Sequence, residues 1–504
     1  MFDKLKLKHK GSDVSYCDPI APPGTHPSKR DIFRNRQNYG VNIGSCFVQE
    51  RWICGSLFGD GCETELQMAN NLIKQHGAQG ARERLEGFWQ SFMNDDDWRW
   101  LKEQGVTAVR IPIGYWEVAE GQFAKGTRFA PALPAYVNAW SIFKSHFVEP
   151  ALKHDIGVLV DMHGLPGGAN SSDHSGESCD QGAKFWDDAD AQLSMVKAFQ
   201  WIVTDLDKFD NIAGIQLCNE AEYCESSKKQ GTFYGAAINA IREADATIPI
   251  IISDSWNPRL WTNWVQDKQS GLNTIGVVVD DHVYRCFSGE DHNSSPQDII
   301  ARLNHTVLTP LNDNGKGVDF MIGEYSCVLD GQSWSKGDAQ EHRDELVKQY
   351  GRTQVEIFSQ RAKWGFFFWT YKFESGSGGE WDFRAMTEAG AIYNPFNIAG
   401  KSLPDENIFN QALDENFKSH CAYWDKQAPK EKFDHDLYAK GFTVAWYDAL
   451  EFAKFDGSVL GRVQAWKSSR LQEHIHNHEQ AKFEWIYAQG YEKGLETFYH
   501  LVRN

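Results

Sequence analysis

The sequence has no long apolar stretch. None of its runs approaches the roughly 18 consecutive apolar positions that a membrane-spanning helix needs. The N-terminal residues 1–10 are basic, but they have neither the apolar centre nor the small-residue cleavage site of a secretory signal. We therefore expect a cytoplasmic protein without a transmembrane segment.

Basic residues are few relative to acidic ones, 51 against 69, and the formal net charge is −18. Nucleic acids and anionic membranes bind basic surfaces, so we expect neither as a partner. A neutral ligand fits this composition better. The 19 Trp and 17 Tyr are compatible with rings that stack on sugars, although core packing accounts for most of them.

Signatures of metal and cofactor sites are also missing. The ten cysteines include no C-x-x-C pair, and neither G-x-G-x-x-G nor G-x-x-x-x-G-K-[ST] follows a strand-like run. Asp95 to Asp97 precede an apolar helical pattern and predict an acidic helix N-terminus. Of His474, His476 and His478 only the outer pair shares a helix face, so a solvated helix is the simpler interpretation. We expect no metal and no cofactor.

What the sequence does contain is a regular alternation of strand-like and helical patterns. Apolar residues recur every three or four positions in segments such as 139–152 and 192–206, which is typical of helices. Eight short β-like runs alternate with such segments, which predicts an α/β protein built as a (β/α)₈ TIM barrel. The eight runs are 39–44, 107–112, 157–163, 214–220, 248–254, 276–282, 319–324 and 365–371.

The pattern divides the chain into three parts: an N-terminal arm over 1–38, the barrel over 39–404, and a helical C-terminal extension over 405–504. Two similar segments in the extension, 438–442 and 487–491, predict two related helical units. Carbohydrate-binding modules are usually β-sandwiches, so we interpret the extension as a structural cap or an oligomer contact. The sequence does not indicate an oligomeric state.

Polar side chains stand at the C-terminal end of nearly every predicted strand. One such residue alone is more often structural than functional. In a parallel barrel, however, these strand ends meet at one mouth, where the active site lies. The residues are Arg110, His163, Asn219, Glu220, His282, Tyr284, Glu324 and Trp369.

Two of these residues, Glu220 and Glu324, predict glycoside hydrolysis. Retaining enzymes need a carboxylic acid and an ionised carboxylate about 5–5.5 Å apart, and strands four and seven lie across the barrel from one another. Glu222 and Glu225 are competing acids, but neither lies next to an Asn at a strand end.

The neighbouring residues have roles that support this chemistry. We expect Asn219 to bind the sugar 2-hydroxyl, and Arg110 and Tyr284 to keep Glu324 ionised and oriented. His282 is expected near Glu220, where it helps to set the protonation of that carboxyl group. Trp369 is expected to form the floor under the sugar ring.

These residues resemble glycoside hydrolase family five, and more closely the non-secreted type of fungal exo-β-1,3-glucanases, also called glucan 1,3-β-glucosidases. The resemblance covers roughly residues 38–400. It implies a retaining enzyme with Glu220 as acid/base and Glu324 as nucleophile, and it places Glu50 and Asp173 at the closed non-reducing end. The matching motifs are Asn219-Glu220, His282-x-Tyr284, Ile322-Gly323-Glu324, Arg110-x-Pro112, His163-Gly164, Glu50-x-Trp52 and Phe368-Trp369-Thr370-Tyr371.

One loop departs from that family. Its glucanases carry an aromatic residue in the loop after His163-Gly164 that clamps the leaving-group sugar together with a second aromatic. Phe287 matches the second position, but Ser172 occupies the first. We expect the substrate to be a carbohydrate or a glycoconjugate. A glucan 1,3-β-glucosidase is the first hypothesis, a glucosidase of a glycolipid, steryl or flavonoid (di)glycoside the second, and a non-catalytic glycan-binding barrel the third.

Overall fold

The computed structural model describes residues 26–177, 182–268, 276–309, 318–478 and 482–503. The chain forms two compact units: one contains Asn38–Pro395, and the other contains Phe396–Asn504 together with the described part of Cys17–Gln37. The three-part division predicted from the sequence stays a prediction. Within the described residues, no helix is both long and apolar enough to cross a membrane.

The first unit is a closed barrel of eight parallel strands in the order β1 to β8, as predicted for a (β/α)₈ fold. Closure occurs where β8 pairs with β1, with Val41 opposite Phe368. The strands are β1 (Asn38–Asn42), β2 (Ala108–Gly114), β3 (Gly157–Gly164), β4 (Ile212–Gln216), β5 (Ile250–Ser253), β6 (Val277–Arg285), β7 (Asp319–Leu329) and β8 (Gly365–Phe368).

All eight predicted strands are confirmed, but some of their ends differ. β6 and β7 continue past the predicted ends at His282 and Glu324, whereas β4 stops at Gln216, before Asn219 and Glu220. The backbone of Glu220 has a φ of 42°, in the left-handed region that a strand does not adopt. The chain therefore leaves the strand before it presents the Asn-Glu pair.

Large apolar side chains fill the barrel interior. Each strand is fully or almost fully buried, which explains the continuous apolar runs of the sequence. Gly40 makes room for the ring of Phe367, because a Cβ atom at this position would lie 2.2 Å from that ring. The inner layer consists of Ala108, Leu159, Ala213, Ile251, Val278, Met321, Trp364 and Phe367.

Helices follow the strands, and the acidic run begins one of them. Asn94 caps the helix Asp95–Glu103, and Asp97 accepts hydrogen bonds from Tyr371 and Lys372, so the predicted helix start is confirmed. The helices of this unit are α2 (Glu65–Phe92), α3 (Asp95–Glu103), α4 (Ala139–Ile142), α5 (Glu149–Lys153), α6 (Ala189–Leu206), α7 (Lys228–Ala244), α8 (Pro258–Lys268), α9 (Gly289–His292), α10 (Pro296–Thr306), α11 (Gly331–Trp334), α12 (Arg343–Arg361) and α13 (Phe383–Glu388).

The second unit is helical, as predicted. The interpretation of a solvated histidine helix is wrong for His474, which is buried and stacks on Tyr487. The helices of this unit are α1 (Lys29–Asn35), α14 (Glu406–Gln427), α15 (Asp436–Lys454), α16 (Val463–His478) and α17 (Trp485–Arg503).

The two similar segments of the extension form a reciprocal contact between α15 and α17. A Cβ atom on Gly441 would lie 2.1 Å from the carbonyl oxygen of Tyr487, and one on Gly490 would lie 2.1 Å from that of Tyr438. The two helix backbones thus touch where each repeat has its glycine. Only a residue without a side chain allows this approach.

Gly441→Ala and Gly490→Ala are therefore expected to lower the midpoint of thermal unfolding. The steric cost, about 2 kcal/mol, outweighs the gain in helix propensity of about 1 kcal/mol. Gly87→Ala in α2 is the control, because a Cβ atom there meets nothing within 4 Å. If all three variants melt alike, the close contact does not matter for stability.

Candidate active site

Most of the predicted site residues surround one cavity of about 1040 Å³ at the C-terminal ends of the strands. Arg110 lies beneath it, fully buried. Asp173 is exposed on a neighbouring pocket of about 790 Å³ that Glu50 also lines. The predicted residues on the main cavity are Glu50, His163, Asn219, Glu220, His282, Tyr284, Phe287, Glu324 and Trp369.

Arg110 on β2 makes charge-assisted hydrogen bonds in several directions. Its guanidinium lies 2.9 Å from Oε1 of Glu324 and 3.0 Å from Oδ2 of Asp161. Burial alone lowers the pKa of Arg110, but the charges of these carboxylates outweigh burial and raise it. The remaining donors bind the amide oxygens of Asn42, Gln216 and Asn219 at 2.7–2.8 Å.

Two side chains donate hydrogen bonds to Glu324 on β7. Arg110 donates to its Oε1, and the hydroxyl of Tyr284 donates to its Oε2 at 2.9 Å. These two hydrogen bonds fix the orientation of Glu324, whose carboxyl group lines the cavity.

Glu220 has a different environment, made of two imidazoles. Its Oε1 lies 2.8 Å from Nδ1 of His282, and its Oε2 lies 3.2 Å from Nε2 of His174. Burial raises the pKa of Glu220, but the hydrogen bonds and charges of the two histidines outweigh it and hold this pKa well below its usual range.

His282 is anchored on its other side by Asp280. Its Nε2 lies 3.1 Å from Oδ2 of Asp280, whose two oxygens also accept hydrogen bonds from the amide of Gln216 and the backbone of Gly323. Burial lowers the pKa of His282, but the charges of Glu324 and Asp280 raise it well above its usual value. His282 is thus a fixed cation between the two catalytic candidates.

Two of the rings that line the cavity, Trp369 and His163, lie side by side. Trp369 lies almost parallel to His163, with 5.9 Å between ring centroids and 13° between planes. The Trp369–Thr370 peptide bond is cis. The indole of Trp52 donates to Oε2 of Glu50 at 2.9 Å.

The sequence reasoning missed His174. The family resemblance indicates a role for the neighbouring Asp173 and none for His174. The structure turns His174 onto Glu220 and leaves Asp173 exposed. The short 3₁₀ turn Asp173–Ser175 decides this orientation, and neither composition nor spacing predicts it.

Glu220, His282 and Glu324 each offer an atom within 4.8 Å of the others, close enough for a metal ion. However, their lone pairs already bind protein groups. Arg110 and Tyr284 occupy Glu324, and the ring nitrogens of His282 face Glu220 and Asp280. The donor set fits a hydrogen-bonded acid–base cluster better than a metal site.

A buried pair of acids supports the loop that carries Glu50. Glu65 accepts hydrogen bonds from the backbone of Gln49 at 2.5 Å and from the hydroxyl of Tyr136 at 2.6 Å. Burial raises the pKa of Glu65 to about 7. Burial and the charge of Glu65 together raise the pKa of Glu117 well above its usual value.

Comparison with known proteins places this site in a family context. A model of the cellulase family, glycosyl hydrolase family 5, matches residues 73–375, and a model named glucan 1,3-beta-glucosidase 3 C-terminal domain matches residues 406–502. An uncharacterized glycosyl hydrolase of Saccharomyces cerevisiae is 36% identical over 99% of this chain and 98% of its own. Glucan 1,3-beta-glucosidase 3 of Schizosaccharomyces pombe is 35% identical over 88% of this chain and 92% of its own.

Solved structures confirm the fold. Rutinosidase from Aspergillus niger superposes with a TM-score of 0.55 at 17% identity, covering 71% of this chain and 98% of its own. At this identity the likeness concerns the arrangement of strands and helices. It carries no information on the substrate.

The acid pair predicts that stability falls as the pH rises. An unfolded glutamate has a pKa near 4.3, whereas that of Glu65 is about 7, so the folded protein binds more protons between these values. Stability should therefore decrease from about pH 4.5 to pH 7. Glu117→Gln imitates the protonated partner and should be more stable than wild type at pH 8, by about 2 kcal/mol, but not at pH 5.

Melting temperatures at pH 5 and pH 8 check this expectation. The exposed Glu103→Gln is the matched control and should follow the wild type at both pH values. If the melting temperatures of wild type and Glu117→Gln change by the same amount between pH 5 and pH 8, the shared ionisation of the pair is contradicted.

Proposed function

The chain belongs to glycosyl hydrolase family 5 and is a glycoside hydrolase, and we propose that it is a retaining, exo-acting β-glucosidase of the glucan 1,3-β-glucosidase type. The observation that carries the proposal is the pair of glutamates. One carboxyl oxygen of Glu220 and one of Glu324 lie within 4.8 Å of each other, which supports the short separation of retaining glycosidases, about 5–5.5 Å, over that of inverting ones, about 6.5–9.5 Å.

In the first step, Glu324 attacks the anomeric carbon. The bond from this carbon to the leaving oxygen breaks, and Glu220 gives its proton to that oxygen. Glu324 is suited to the attack because Arg110 and Tyr284 hold it as an oriented carboxylate. The product of the step is a glucosyl ester on Glu324.

In the second step, Glu220 acts as a base. It removes a proton from water, whose oxygen attacks the anomeric carbon and releases Glu324. Two inversions at one carbon give net retention of configuration. Asn219, oriented by Arg110, is placed to bind the sugar 2-hydroxyl in both transition states.

The glucan 1,3-β-glucosidase assignment is supported by the relatives. The protein of Schizosaccharomyces pombe with that name aligns over 88% of this chain, and the matching C-terminal model carries the same name. Glu50 and Trp52 also line the cavity and are hydrogen-bonded to each other, and they suit the recognition of a terminal glucosyl unit.

A second candidate is a β-glucosidase that acts on an apolar aglycone, such as a glycolipid, steryl or flavonoid glycoside. Part of the cavity wall is apolar, which suits an apolar aglycone. Trp256 and Phe287 are 49% and 68% exposed there. The wall continues over Pro258, Val283, Ile299 and Leu308.

Substitution of the two glutamates tests the chemistry. Wild type should hydrolyse an aryl β-glucoside and release the β-anomer first, as observed by NMR. Glu324→Ala should lose on the order of 10³-fold or more in kcat/KM, and Glu220→Ala about 10²–10⁴-fold for leaving groups that need a proton. The exposed Glu225→Ala is the matched control and should retain wild-type activity. A glycan-binding barrel without catalysis would show no hydrolysis at all.

A substrate panel separates the two candidates. We expect laminaribiose to exceed gentiobiose, glucosylceramide, steryl glucoside and rutin by at least about tenfold in kcat/KM, a difference of about 1.4 kcal/mol. Trp256→Ala should then weaken all substrates similarly. If an apolar glycoside ranks first and Trp256→Ala abolishes its advantage, the second candidate replaces the first.

A further inference from the structure

The loop 170–176 is tied to Glu220 at two places. The side chain of Asn170 donates to the backbone carbonyl of Glu220 at 2.9 Å, and its amide oxygen accepts from the backbone of Ser172 at 2.9 Å. The same loop carries His174, whose Nε2 lies 3.2 Å from Oε2 of the Glu220 side chain. A loop held by the backbone of Glu220 thus delivers an imidazole to its carboxyl group.

Both ring nitrogens of His174 can carry a proton. Nδ1 lies 3.5 Å from Nδ2 of Asn219, the outer limit of a hydrogen bond. That amide nitrogen has a nearer acceptor in Nε2 of His163, at 3.3 Å. The amide has two hydrogens and can reach both rings, but at 3.5 Å its hydrogen bond to His174 is too weak to keep Nδ1 of His174 unprotonated.

The charges around His174 are mainly negative. Burial lowers its pKa, but the hydrogen bond and charge of Glu220, followed by the charges of Glu50 and Glu324, raise it to about 9. The titratable and charged groups that face His174, or line the pocket beside it, are Glu50, Arg51, Glu63, His163, Asp173, Glu220, His282 and Glu324.

His282 cannot play the same part. Its second ring nitrogen is bound to Asp280, and the charges of Glu324 and Asp280 keep it protonated. The charge of His174, in contrast, depends first on Glu220. Of the two imidazoles, His174 is therefore the one that can share its proton with Glu220.

We propose that His174 is a positioning residue that shares one proton with Glu220, so that the pair keeps an acidic proton at pH values where a lone carboxyl group is ionised. The inference rests on the proposed function, in which Glu220 is the acid/base. The proton can lie on either partner, and the two ionisations belong to the pair and not to a single residue. Only the form with the proton on Glu220 donates it to the leaving oxygen.

The pH dependence of kcat/KM for an aryl β-glucoside tests the pair. In wild type the rate should stay level on the alkaline side until about pH 9, where His174 loses its proton. In His174→Asn and His174→Gln the decline should begin at least about two pH units lower, because the imidazole that remains on Glu220, that of His282, is also bound to Asp280 and does not share its proton in this way. The amide of His174→Gln can still donate a hydrogen bond to Glu220 but cannot release a proton. This variant therefore separates the effect of the hydrogen bond from that of proton sharing.

The control is His76→Asn, the same change at an exposed histidine of α2, which should leave the profile unaltered. If His174 has only a structural role, its variants should lose activity by the same factor at every pH, and the alkaline decline should stay at the pH of the wild type. That result, or a wild-type decline retained in His174→Gln, would overturn the inference.

A second measurement separates this inference from the proposed function. The titration of His174, followed by NMR of its ring, should move down by at least about one pH unit in Glu220→Gln, because the neutral amide cannot hold the imidazolium. An unchanged titration in an active enzyme overturns the pair. A protein that hydrolyses no β-glucoside but shows the shifted titration overturns the proposed function alone.

Discussion

The buried guanidinium of Arg110 is the constraint on which the site depends. It is always charged, and with 0% exposure it has no water to solvate it. Its charge is compensated by two carboxylates, Asp161 and Glu324, and without them it would be an unpaired buried charge. The position of Glu324 is thus set by the same group that closes the bottom of the cavity.

Arg110 also fixes the direction of three amides. Because it donates to their oxygens, each amide nitrogen must point away from it: Asn42 toward backbone carbonyls of β7 and β8, Gln216 toward Asp280, and Asn219 toward His163. The directions of these hydrogen-bond donors at the mouth of the barrel thus follow from Arg110. Arginine can impose it because its planar group presents five donors in fixed directions.

The sequence predicted the barrel because buried parallel strands are continuous apolar runs, and it predicted the main site because polar residues recurred at their ends. It could not predict what depends on loop geometry or on contacts between distant residues. His174 and Asp173 are adjacent, yet only one reaches Glu220. The hydrogen bond from Gln216 to Asp280 and the close approach of Gly441 and Gly490 to the carbonyl groups of Tyr487 and Tyr438 could not be predicted either, since residue type alone does not indicate them.

The two glutamates have the same side chain and differ in the kind of partner each has. Glu324 binds an arginine and a tyrosine, which orient it, and Nδ1 of His282 lies farther away, 3.5 Å from its Oε2. Glu220 binds two imidazoles, and the pKa of one of them, His174, is raised mainly by Glu220 itself. A nucleophile must not pick up a proton, whereas an acid/base must pass one in each direction during a cycle. The partners therefore favour the assignment of roles more strongly than the positions of the two residues in the barrel do.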